Sequence, residues 1–213
     1  YLISSARELI TVYLDPLASY RLKASIDLSS IVWFHALIPV FGGTFDGNGH
    51  TIRGLTISGG NDVGLFGAIA GGAIVHDLGV VDVSVAGEFR NTGALAGVNR
   101  GQVANCYGTG TSTGHDNVGG LVGENKGAIV TCTIEAIVSS DQVAGGLVGR
   151  QVDCGYIGNC WSRSSVCSAP AGGLAGRVYG GSVDKCYSVG PVSGSGVGGL
   201  VGSLDPQSGS VNE

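Results

Sequence analysis

A five-residue block, Gly-Gly-Leu-Val-Gly or a near copy, occurs six times, with its leucine at Leu65, Leu95, Leu121, Leu147, Leu174 and Leu200. The intervals are 30, 26, 26, 27 and 26 residues. A unit this short cannot bury its own apolar face, so copies at a fixed period have to stack into a solenoid. A second motif follows each block, as Gly101-Gln-Val103-Ala-Asn105-Cys106-Tyr107 and, near the end, Gly181-Ser-Val183-Asp-Lys185-Cys186-Tyr187. Gly209-Ser-Val211-Asn-Glu213 opens one more copy, so the last coil is expected to be cut and the chain to be a piece of a longer array. Tyr1 in place of an initiator methionine fits that expectation.

The repeat selects β-structure. Segments such as Val118-Gly-Gly-Leu-Val122 are short, apolar and bounded by turn residues. Glycine at 40 of 213 residues disfavours helix, since each one costs roughly 1 kcal/mol against alanine there. Collagen is excluded because glycine shows no period of three. A coil of about 26 residues holds two or three strands of roughly four to six residues, and successive coils stack about 4.8 Å apart. Equivalent side chains then form columns, with the six leucines as the core. The paired glycines either adopt positive φ or let coils approach closely.

Cys106, Cys132, Cys160 and Cys186 form a second column, spaced by 26, 28 and 26 residues, with Leu78 in the earlier copy. Leucine exchanging with cysteine marks an inward, apolar position. Four sulfurs in a straight row do not close a zinc tetrahedron, and no CxxC pair exists. Parallel Cβ vectors disfavour disulfides between stacked neighbours. Cys154 and Cys167 lie off the column and can pair with each other.

Residues 1–42 read as an N-terminal cap and 43–213 as the solenoid, truncated within its last coil. Ser5-Ala-Arg-Glu8 is a capping box opening a short helix over Ala6 to Val12, stopped by Asp15-Pro16. Tyr20 to Leu28 alternates as a strand. Asp46-Gly-Asn-Gly49 is a tight turn between two strands.

These blocks, the Asn-Cys-Tyr copies and the lead-in Phe41-Gly-Gly-Thr-Phe45-Asp-Gly-Asn-Gly-His50-Thr-Ile-Arg-Gly-Leu55 resemble the GLUG repeat family of bacterial surface and secreted proteins, over nearly the whole chain. Thr131-Cys-Thr-Ile-Glu135 departs from the pattern, lacking both Asn and the aromatic. Similar repeats occur in large adhesin-like proteins and beside the protease domain of IgA-specific metallopeptidases. The resemblance implies an all-β parallel β-helix, right-handed, on an exported protein, and no particular ligand. The zinc-protease signature His-Glu-x-x-His is absent from the sequence, so peptidase activity is not implied.

No catalytic residue set stands out. The acidic residues are spread along the chain rather than clustered as calcium or acid–base chemistry requires. Asp46 with His50 reads as turn chemistry and His76-Asp77 as a solvated corner. No G-x-S-x-G, P-loop or Rossmann fingerprint appears. Arg100, Lys126, Arg150 and Arg177 follow the block leucine at offsets of 5, 5, 3 and 3, an irregular stripe that reads as a solvated edge. Net charge is -5 and the 11 Lys and Arg are scattered, which excludes nucleic acid as a partner.

The residue after each column cysteine is Tyr107, Thr133, Trp161 or Tyr187. Val103 to Cys106 is an odd step, so a corner has to intervene for both to face inward. With that corner the aromatics form an exposed row, suited to stacking on sugar faces. Without it they are core and the cysteines lie outside. The expected function is a non-catalytic structural or adhesive module of an exported surface protein, with no cofactor, no metal and no membrane insertion. A glycan-binding module using Tyr107, Trp161 and Tyr187 is the first alternative. An accessory domain of a larger surface peptidase or polysaccharide-degrading enzyme is the second. Expected partners are a host or environmental glycan or protein, and further repeats or domains of the parent chain.

Overall fold

The computed structural model describes residues 1–205 and 208–212; Pro206, Gln207 and Glu213 lie outside them. The chain winds into a parallel β-solenoid of about 7 turns with coils of about 26 residues. Four sheets of nine, eleven, five and seven strands run along it, and their pairing is parallel throughout, as in Val118↔Ala144, Val122↔Val148 and Ile129↔Ile157.

One coil shows the plan. Asp116–Gly119 leads into Val122–Asn125, then Ala128–Val130, then Thr133–Ser140. From Arg90 onward the coils therefore reach four sheets, rather than carrying two or three strands. The extra corner lies inside the Gly-Gly-Leu block, and the paired glycines create it by close approach. A Cβ on Gly119, Gly145, Gly172 or Gly198 would lie 1.8–2.0 Å from the carbonyl oxygen three residues ahead in its own coil. A Cβ on Gly120, Gly146 or Gly173 would lie 2.1–2.2 Å from a carbonyl oxygen of the next coil. None of these glycines has positive φ, so space and not backbone freedom requires them.

A different corner separates the third strand of a coil from the fourth. Asn48, Asp77, Asn105, Thr131, Asn159 and Lys185 all hold φ between 51° and 54°. Asn and Asp tolerate this left-handed region better than other non-glycine residues. One left-handed residue breaks the period-2 alternation, so Val103 and Cys106 both point inward.

Leu65, Leu95, Leu121, Leu147 and Leu174 are fully buried and Leu200 is half-buried. Leu78, Cys106, Cys132 and Cys160 are buried beneath the next corner, and Cys186 is half-buried. Each backbone N–H in the cysteine column donates to the next sulfur, Cys106 to Cys132, Cys132 to Cys160 and Cys160 to Cys186, at 3.3–3.4 Å. All six cysteines are free thiols, including the exposed Cys154 and Cys167.

Thiol contacts along the column, and burial after them, push Cys160 up to about 12 and raise Cys132 and Cys186 as well. Only the thiolate is a nucleophile. Titration with an aromatic disulfide reagent at pH 8 should therefore find two fast thiols, Cys154 and Cys167, and six after denaturation. More than two fast thiols in the native chain would contradict the buried column. Folded pKa values raised above the unfolded value of about 8.5 contribute stability that is complete below that pH and declines above it, because only the unfolded thiols then ionise.

The first coil lies within the segment expected to be the cap. Ser19–Leu22, Ile26–Asp27 and Ile38–Phe41 join three of the four sheets, pairing with strands of the following coil. The expected strand from Tyr20 to Leu28 is thus broken by a corner at 23–25, although Tyr20, Leu22, Ile26 and Leu28 all point inward. The cover itself is the helix Ala6–Ile10 continued by a 3-10 turn at Thr11–Leu14, which buries Leu9 and Val12 against the core. Ser5 Oγ accepts from the Glu8 N–H at 3.3 Å and the Glu8 carboxylate accepts from the Ser4 N–H at 2.7 Å. Behind this turn Phe41, Phe45 and Phe66 pack with ring centroids 5.3–6.0 Å apart.

Candidate functional site

Two places on the surface bring functional side chains together, both beside the left-handed corner. The first is the outward column of the fourth strand, where Gly79, Tyr107, Thr133, Trp161 and Tyr187 are stacked in register. Tyr107 and Tyr187 are exposed and Trp161 is half-buried. The Trp161 and Tyr187 rings are near-parallel, 11° apart in plane with centroids 6.2 Å apart. Tyr107 does not join them. Its ring leans the other way over Gly79, whose Cβ would meet the Tyr107 ring tip at 2.5 Å. The row is therefore a Trp–Tyr pair and, beyond Thr133, a single tyrosine facing a polar cleft.

The second place is that cleft, an open space of about 370 Å³ lined by Arg21, Asp46, Asn48, Asp77, Asn105 and Tyr107. Thr44–Asp46 and Ile74–His76 are paired strands with Asp46 opposite His76. Register thus places the His76 ring between two carboxylates. His76 Nδ1 lies 2.7 Å from Asp77 Oδ2 and 3.9 Å from Asp46 Oδ1. Arg21 Nε is 3.3 Å from Asp46 Oδ2, and Asn105 Nδ2 donates to Asp77 Oδ1. The hydrogen bond from His76, and after it the one from Asn105, holds the Asp77 carboxyl below the usual carboxylate range.

His76-Asp77 lies at the expected corner, but half-buried and paired. Asp46 Oδ1 accepts from the Asn48 N–H at 2.7 Å, the turn bond expected of it, and strand pairing also sets Asp46 beside His76, 30 residues on, rather than His50. Arg100, Lys126, Arg150 and Arg177 do not form one stripe. Arg150 and Arg177 are in register, while Lys126 lies outside that column. Glu124, just below Arg150, sits 3.4 Å from Lys126 and 3.7 Å from Arg150, and the Arg150 guanidinium lies 5.2 Å from the centre of the Tyr179 ring.

A buried amide ladder escapes the sequence reading altogether. Asn99, Asn125 and Gln151 are fully buried and in register. Asn99 Nδ2 donates to Asn125 Oδ1 at 2.9 Å and Asn125 Nδ2 to Gln151 Oε1 at 3.3 Å. The signal was present, since each amide follows its block leucine by four residues, where other copies carry Ile69, Val178 and Leu204. A polar residue exchanging with aliphatics at one repeat position points inward, where it needs a partner of its own kind.

The fold defines the chain as a parallel β-solenoid whose polar columns run along the stack. No family model matches it. Over 114 residues it is 35% identical to Halomucin of Haloquadratum walsbyi, a match covering 46% of this chain and about 1% of that protein. It superposes on a candidate immunoglobulin A1 protease from Bacteroides ovatus with a TM-score of 0.84 at 22% identity, covering 100% of this chain and 73% of the other. A solved structure named IgA1 Protease matches with a TM-score of 0.75 at 19% identity, covering 99% of this chain and 19% of that one. At these identities the structural likeness concerns the fold.

Proposed function

We propose that this chain is a non-catalytic structural and adhesive module of an exported surface protein, built from repeats of the GLUG type. The observation that carries this reading is where the repeating residues point. The leucine, cysteine and amide columns face the neighbouring coil and hold the stack together, which is the work of a rod. The likeness to two chains named for immunoglobulin A1 proteolysis supports a place outside the cell, where that immunoglobulin is found, and a position beside other domains of a longer protein.

Antibodies raised against the folded chain should label intact cells of the organism that makes it. Labelling only after lysis would refute export. Incubation with immunoglobulin A1 should leave the heavy chain whole, and cleavage would refute the non-catalytic reading.

Glycan binding is the second reading, favoured by the exposed rings of Tyr187 and Tyr107 and the near-parallel Trp161. Exposed aromatics combine large apolar faces with polar tips. On a broad glycan array a pure spacer gives no specific binding. Binding that disappears in a Tyr107→Ala/Trp161→Ala/Tyr187→Ala variant, while its melting stays close to wild type, would identify the aromatic row as the site.

A further inference from the structure

We propose that Asp46, His76 and Asp77 form a binding site for a divalent transition-metal ion of the zinc class. One donor atom from each lies within 4.8 Å of the others. A tetrahedral zinc with bonds near 2.1 Å needs donors about 3.4 Å apart. His76 Nδ1 stands 2.7 Å from Asp77 Oδ2 and 3.9 Å from Asp46 Oδ1, so the first pair has to open and the second to close by less than about 1 Å to match that spacing. His76 Nδ1 and Asp77 Oδ2 already face each other across this gap, so both donors are aimed at one place.

The surroundings orient the donors. Arg21 engages Asp46 Oδ2 and Asn105 engages Asp77 Oδ1, while Asp46 Oδ1, which accepts from the Asn48 N–H at 2.7 Å and keeps a second lone pair, and Asp77 Oδ2 lie on the imidazole side. Hydrogen bonds of this kind to the far oxygen of a ligating carboxylate steady a metal site. One imidazole and two carboxylates match the nitrogen and oxygen donors that zinc-class ions accept. The cleft beside Asp46 and Asp77, and a second one bounded by Asp46 and His76, leave room for water in a fourth position.

The repeat supplies its own comparison. Along the strand column the residues in register with Asp46 and His76 are Arg21 before them and Ala104, Val130, Gly158, Asp184 and Asn212 after them, so a carboxylate recurs at Asp184 but no imidazole does. At the following left-handed corner Asp77 gives way to Asn105, Thr131, Asn159 and Lys185. Among the described residues His115 meets a single carboxylate, Asp141, and only His76 stands within reach of two. A purely structural corner does not need an imidazole between two carboxylates, because the other described coils turn the same corner without that grouping.

The test is zinc titration of the full chain in a Cys154→Ser/Cys167→Ser background, since exposed thiols also take up zinc. Calorimetry should show one ion per chain. His76→Ala, and separately Asp77→Asn, should weaken binding by more than about tenfold, with His115→Ala as the unaffected control. The nitrogen-15 imidazole spectrum of the same background gives a reading free of any site variant. One histidine should shift on zinc addition, and it should be the signal missing in His76→Ala. Absence of stoichiometric binding, unchanged affinity in a folded His76→Ala chain, or a shift confined to His35, His50 or His115 would overturn the site.

Discussion

Leu121→Asp should abolish the folded central coils. Leu121 is fully buried, its backbone N–H bonds to the Leu147 carbonyl at 3.0 Å, and its side chain reaches across to Gly108 on the facing strand. Truncating a buried leucine to alanine costs about 2–5 kcal/mol through lost burial and the cavity left behind. A carboxylate there adds the cost of an unpaired charge with no ion or donor in reach, several kcal/mol more. That sum rivals the whole stability of a typical domain, about 5–15 kcal/mol. In a solenoid each coil touches only its neighbours, so the lesion also uncouples the coils on either side. Far-UV circular dichroism and soluble yield should both fall sharply, with Leu147→Asp behaving alike and Leu121→Ala giving the graded loss. A Leu121→Asp chain that melts like wild type would refute the leucine column.

The second large effect is expected at a glycine. A Cβ on Gly145 would lie 2.0 Å from the Val148 oxygen, 2.4 Å from the Gly176 nitrogen and 2.9 Å from the Ala175 carbonyl carbon. All three are backbone, so no side-chain rotation relieves the clash and a strand has to move. Gly145→Val should therefore cost at least about 3 kcal/mol, the upper end of overpacking penalties. Gly71→Ala is the control, because its Cβ would meet nothing nearer than the Arg100 oxygen at 3.9 Å. It should stay within about 0.5 kcal/mol of wild type. Urea melts of the two variants decide the matter, and equal midpoints would refute close approach as the reason for the paired glycines.

Much of the fold is legible before any coordinate is known. The 26-residue spacing of the block leucines and of the cysteines places equivalent residues one above another, and an aliphatic exchanging with cysteine or leucine at one position marks it as inward. Position in the repeat carries this information because stacking makes every column a shared environment. The amide ladder at Asn99, Asn125 and Gln151 obeys the same rule and could have been read from its constant offset. The candidate sites are less legible. The aromatics are visible as a row, but whether they face solvent depends on one left-handed residue per coil.

The solenoid, its period and the residues that share each column follow from the repeat alone, because a unit this short must stack to bury its apolar face. The corners are settled by the packing of coil on coil. A single residue near φ 51° at Asn105 reverses the side of every residue after it, and local sequence leaves that choice open. Tertiary structure also decided which departures from the repeat meet. Asp46 and His76 are 30 residues apart and carry no shared motif, yet strand register sets them side by side. Tyr107 turns away from Trp161 because Gly79, one coil earlier, leaves its ring a space to fill. Contacts between coils depend on register and on the volume of the neighbour, and neither quantity is written in the residues on one side of the contact.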